Sequence, residues 1–147
     1  MPLLFEAIIT AETPQDMIGY TLDGHVEEST ITFECTPPAV GVIMAALAGD
    51  LSTLARDELL QTLWFVAAGS GDYGPTVEGE GLGEGCRHHV QEGFWRLVQI
   101  GLTGTADDAE TVADICEYLG LSGGKAAFYQ AELRNRARAK TKRRRRT

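Results

Sequence analysis

Apolar stripes with the 3.6-residue period of an α-helix recur along this chain, most of them cut off by glycine. Val40, Ile43, Met44 and Leu47 fall at i, i+3, i+4 and i+7 behind Pro37-Pro38, and Gly49-Asp50 ends that run. A second stripe holds Leu60, Leu63, Trp64 and Ala67. Asp57-Glu58 stands at its expected first turn, where acids suit the helix dipole, and Gly69 at its end. A third predicted helix runs from about Gly85 to Leu102, with Val90, Phe94, Leu97 and Val98 inward, Arg87, Gln91 and Glu92 mostly outward and Trp95 flanking. Thr105 with Asp108 three residues on has the form of a capping box. It opens a fourth helix carrying Val112, Ile115, Cys116 and Leu119, stopped by Gly120 and Gly123-Gly124. The last helix starts near Lys125 with Ala126, Tyr129 and Leu133, and loses its apolar face where the arginines begin.

The first 36 residues admit two readings. Leu4, Ala7, Ile8 and Ala11 suit a helix, whereas Ile31, Phe33 and Cys35 alternate like a strand and Asp23-Gly24 could form a hairpin turn. The pattern as a whole predicts an all-α fold, a short α-solenoid or helical bundle with an irregular or β-hairpin N-terminal segment. It also predicts one acidic domain over residues 1–133 and a basic, disordered tail over 134–147.

Charge divides the chain sharply. Residues 1–130 hold four Lys/Arg against twenty Asp/Glu, a balance of −16, and residues 131–147 hold nine Lys/Arg against Glu132 alone, a balance of +8. So acidic a body repels nucleic acid and anionic membranes and attracts positive surfaces. No apolar run reaches the roughly 20 residues that span a bilayer, and Met1 to Ile9 lacks a basic leader region, so a cytoplasmic protein with no membrane partner is expected. Cys35, Cys86 and Cys116 are odd in number and widely spaced, which predicts reduced, packed thiols.

Few constellations point to chemistry. Gly69-Ser70-Gly71-Asp72-Tyr73-Gly74 matches G-x-G-x-x-G, but a pyrophosphate cradle needs a strand before it and a helix opening within it. A helical stripe precedes it and an acidic, glycine-rich stretch follows, so a plain loop over 69–85 is the expectation. Cys86, His88 and His89 have zinc-ligand chemistry without the spacing of a finger or knuckle. A Cys86 nucleophile would need a base and an oxyanion donor that the sequence does not bring beside it, and Ser70 and Ser122 have no evident partner. No catalytic role, cofactor or metal is therefore expected.

Two runs carry a resemblance. Pro38-Ala39-Val40-Gly41-Val42-Ile43-Met44-Ala45-Ala46-Leu47, a short acidic break and then Arg56-Asp57-Glu58-Leu59-Leu60-Gln61-Thr62-Leu63 resemble the helix pair of small bacterial, especially actinobacterial, HEAT-like proteins, with Gly41 where their proline usually stands. Gly85-Cys86-Arg87-His88-His89-Val90-Gln91-Glu92-Gly93-Phe94-Trp95-Arg96-Leu97 resembles a later helix of the same group. The resemblance covers about residues 30–120. It implies a binding role, since some members look like immunity proteins of toxin systems.

The expected function is thus a protein-binding module, a cytoplasmic immunity protein that neutralises a cognate toxin by covering its basic active face. The expected contact residues are Asp72, Glu78, Glu80 and Glu84, then Asp107, Asp108 and Glu110, with Tyr73 as an aromatic anchor. A competing reading gives these acids no role beyond solubility. The alternative function is a structural or phage-type assembly protein whose tail, Arg143, Arg144, Arg145 and Arg146 above all, contacts nucleic acid.

Overall fold

In the computed structural model, which describes residues 2–28, 31–69, 82–120 and 124–144, the chain is mostly helical, as the stripes predict. The elements are α1 (Pro2–Thr10), a 3₁₀ turn (Pro14–Met17), β1 (Glu27–Glu28), β2 (Ile31–Thr32), α2 (Thr36–Leu47), α3 (Thr53–Gly69), α4 (Leu82–Glu92), α5 (Phe94–Thr103), α6 (Ala106–Tyr118) and α7 (Lys125–Arg144). The chain divides into two compact units, residues 1–90 and 91–147. Among the described residues no helix is long and apolar enough to cross a membrane.

In the first unit α3 is the central element, touching α1, α2 and both strands. That explains why its buried set, Ala55, Leu59, Leu60, Thr62, Leu63, Val66 and Ala67, is wider than the stripe read from the sequence. A narrow stripe seats one neighbour, and a helix with several neighbours needs a broader apolar arc. Trp64 lies at the edge of that arc, half-buried. The helix also starts four residues before Asp57. Ser52 caps it, accepting the Ala55 N–H at 3.0 Å and donating its hydroxyl to the Ala11 carbonyl at 2.5 Å.

Both N-terminal readings hold in part. Residues 2–10 are helical with Phe5 and Ile8 buried, and β1 and β2 pair antiparallel, Glu27 opposite Thr32 and Glu28 opposite Ile31. Asp23-Gly24 is not the turn between these strands but part of a tight bend before them, where the Val26 N–H returns to the Leu22 carbonyl at 2.9 Å. Thr36 ties the hairpin to α2. Its buried hydroxyl accepts from the Phe33 N–H at 2.7 Å and donates to the Val26 carbonyl.

The second unit packs α5, α6 and α7 together. The helix expected over 85–102 is two: α4 ends at Glu92 and α5 begins at Phe94, with Gly93 between them. Glycine is a poor helix former, and here the Arg96 and Leu97 N–H groups both turn back to the Gly93 carbonyl. The four predicted inward residues, Val90, Phe94, Leu97 and Val98, are nevertheless all buried. The α6 capping box forms as read: Thr105 Oγ1 accepts the Asp108 N–H at 3.0 Å, and Asp108 accepts the Thr105 N–H at 2.6 Å. Gly120, at φ +57°, ends α6 in the left-handed conformation that other residues avoid.

Of the expected tail, residues 134–147, the structure describes the part up to Arg144. Residues 134–144 form the second half of α7, because the apolar stripe Ala126, Tyr129, Leu133 continues to Ala137, which is buried. Charge then adds to packing. The Arg134 guanidinium pairs with Asp114 and lies 3.7 Å from Glu117, both on α6. Arg136 donates to the Gly104 carbonyl at 3.4 Å.

Candidate protein-binding surface

The division into units sharpens the division of charge. Residues 1–90 hold two Lys/Arg against fourteen Asp/Glu, −12, while residues 91–147 hold eleven against seven, +4. The acidic excess is therefore greatest in the first unit, and there it has a concave focus.

That focus is built by local geometry. The bend at 22–26 buries Leu22 and Val26 and leaves Thr21 and Asp23 at its rim, and β1 follows with Glu27. From α3, Glu58 reaches across, its Oε1 accepting the Leu22 N–H and the Thr21 hydroxyl, each at 3.3 Å. One helical turn further on Gln61 and Thr62, and two turns on Phe65, complete a half-open cleft of about 310 Å³ lined by Thr21, Asp23, Glu27, Glu58, Gln61, Thr62 and Phe65. Three carboxylates and no basic side chain line it, so the cleft favours a guanidinium or ammonium group and disfavours anions. Glu27 is only 2% exposed and serves as wall rather than rim. No group of three or more His, Cys, Asp or Glu side chains with metal-binding geometry occurs among the described residues.

The residues singled out in the sequence are distributed differently. Asp72, Tyr73, Glu78 and Glu80 lie outside the described residues. Glu84 is exposed in the first turn of α4, and Asp107 and Glu110 are exposed near the start of α6. Asp108 is 1% exposed, and its carboxylate accepts the Thr105 N–H as part of the α6 cap. Arg143 and Arg144 fall in the last turn of α7, and Arg145 and Arg146 lie outside the described residues.

Asp23, Glu27 and Glu58 were not among the expected contact residues. Nothing local marks them: Glu58 is 31 positions or more from the other two and reads as a first-turn helix acid. Only the packing of α3 against the N-terminal segment brings them together.

The cysteine and glycine motifs are also placed. Cys86 and Cys116 are buried, and loss of solvation pushes both thiols up to about 11, so they hold their protons at neutral pH. A nucleophilic thiol needs the opposite shift. The run before Gly69 is helix α3, not the strand that a dinucleotide fingerprint requires. Comparison with protein-family models, curated proteins and solved structures returned no match to this chain.

Proposed function

We propose that the chain is a protein-binding module whose acidic first unit covers a basic surface of its partner, as a cytoplasmic immunity protein covers the active face of a cognate toxin. The observation that carries this reading is the carboxylate-lined cleft of Asp23, Glu27 and Glu58 on a unit of charge −12. An arginine or lysine of the partner enters the cleft, and the surrounding acids steer its approach. Exposed Glu84 of the same unit is a further candidate, as are Asp72, Glu78 and Glu80; Asp107 and Glu110, on the second unit, are candidates independent of the cleft.

The test begins with capture of the partner from the native cell extract, followed by binding measurements on the purified pair. A basic partner is expected, with an on-rate that falls steeply as salt is raised. Reversing charge at the rim with Asp23→Lys is expected to weaken binding about tenfold or more, ~1.4 kcal/mol. The immunity form of the reading predicts that a strain carrying the partner stops growing when this gene is removed. Normal growth would sink that form, and an acidic or salt-insensitive partner would sink the reading as a whole.

A further inference from the structure

The second unit carries a surface of the opposite kind. Trp95 on α5 is 55% exposed and Phe128 on α7 is 60% exposed, although both are large aromatic residues. They belong to one cluster. Tyr129 meets Trp95 edge-on at 5.4 Å between ring centroids, Phe128 at 5.1 Å and Phe94 at 5.9 Å. Phe94 is buried and anchors the group to the core. Lys125 holds its Nζ 5.5 Å from the centre of the Trp95 ring. From this cluster α7 runs on to Arg144, 20 residues or about 30 Å in all, with Glu132 its one acid. Arg134 and Arg136 are engaged within the unit, while Arg138 is exposed.

We propose that this face binds single-stranded nucleic acid, with bases stacking on Trp95 and Phe128 and phosphates meeting Lys125 and Arg138 of α7. Two features choose this occupant. The positive helix complements a chain of phosphates, and the rings offer the platform on which unpaired bases stack irrespective of sequence. An acidic peptide would satisfy the charge alone, but the face of an aromatic ring is electrostatically negative and gives a carboxylate no welcome. A duplex keeps its bases inside and would leave the rings unused. Lys125, now over the Trp95 ring, would turn to a phosphate as a base takes its place. The surface is distinct from the acidic cleft, so the proposal stands or falls apart from the protein-binding reading.

The test uses the full chain with Trp64→Phe, which leaves Trp95 as the one tryptophan, and circular dichroism to confirm that each variant folds. The probes are a fluorescein-labelled 20-mer of deoxythymidine, a duplex of the same length and a polyglutamate peptide. The oligothymidine is expected to quench Trp95 emission and to bind about tenfold more tightly than the duplex or the peptide. Phe128→Ala is expected to lower affinity for the single strand about tenfold. Tyr20→Ala, an exposed aromatic of the first unit, is expected to leave it unchanged. Three results overturn the proposal: no binding of the single strand; binding to duplex or polyglutamate as tight as to single strand; or unaltered affinity in Phe128→Ala.

Discussion

Gly101 has no room for a methyl group. A Cβ built there would lie 2.5 Å from Leu133 Cδ2 and 3.3 Å from Val112 Cβ, so α5 approaches both α6 and α7 through the missing side chain. Gly101→Ala is expected to destabilise the protein by about 1–3 kcal/mol, despite the better helix propensity of alanine, as read from urea unfolding. The cysteines give a second expectation. With their pKa raised from 9.0 to about 11, Cys86 and Cys116 should resist alkylation in the folded protein near neutral pH. Half-buried Cys35 should react first, as peptide mass mapping would reveal. The same shift sets a sign on stability. Unfolded thiols ionise above about pH 9 while the folded ones stay protonated, so the contribution is full below pH 9 and is lost as the pH rises toward 11. Asp108 shows how local sequence reaches further. As the partner of Thr105 in the capping box it is worth about 1 kcal/mol, and Asp108→Ala should lower the melting temperature where exposed Asp107→Ala does not.

Among the elements, α7 departs most from what its composition suggests. A run of arginines at a chain end ordinarily stays solvated, because like charges repel and no apolar face offsets the entropy of ordering. Here Leu133 and Ala137 sit four residues apart on one face and bury against the unit, while Arg134 faces Asp114. Deleting residues 134–147 is therefore expected to cost stability as well as charge. It should lower the helical signal in circular dichroism and the urea midpoint, whereas removal of a solvated tail would change neither. The Arg134 pair contributes little to this, since both partners are about a third exposed and such pairs are worth about 0–1 kcal/mol. The apolar contacts carry the docking, and Leu133→Ala should cost about 2–5 kcal/mol. At α5 the reverse holds: an uninterrupted apolar stripe from Val90 to Val98 concealed the break at Gly93, because the period of the stripe survives a change of helix that keeps the same residues inward.

For the whole molecule, the net charge of −8 is a poor description of either unit. One carries −12 with a carboxylate-lined cleft, the other +4 with an aromatic face and a basic helix. Partners of opposite charge are thus drawn to different units. An added basic peptide such as polylysine should quench Trp64 or Trp95 according to where it binds, and chemical cross-links to it should fall on the carboxylates of residues 1–90. Cross-links concentrated in residues 91–147 would contradict the charge division.

Periodicity and contacts within one helical turn were enough to read the helical class, part of the buried face of most helices and the α6 capping box. Val112, Ile115, Cys116 and Leu119 could be read as core from their spacing, and Thr105 and Asp108 as a cap from theirs. Tertiary structure decided what depends on neighbours remote in the chain. The wide buried arc of α3 follows from its several contacts, Ser52 becomes a cap while bonding Ala11, and α7 is ordered by α6. The cleft is the clearest case. Asp23, Glu27 and Glu58 are three ordinary surface acids in the sequence, and they become one site only because burial of Leu22 and Val26 holds the N-terminal bend against α3.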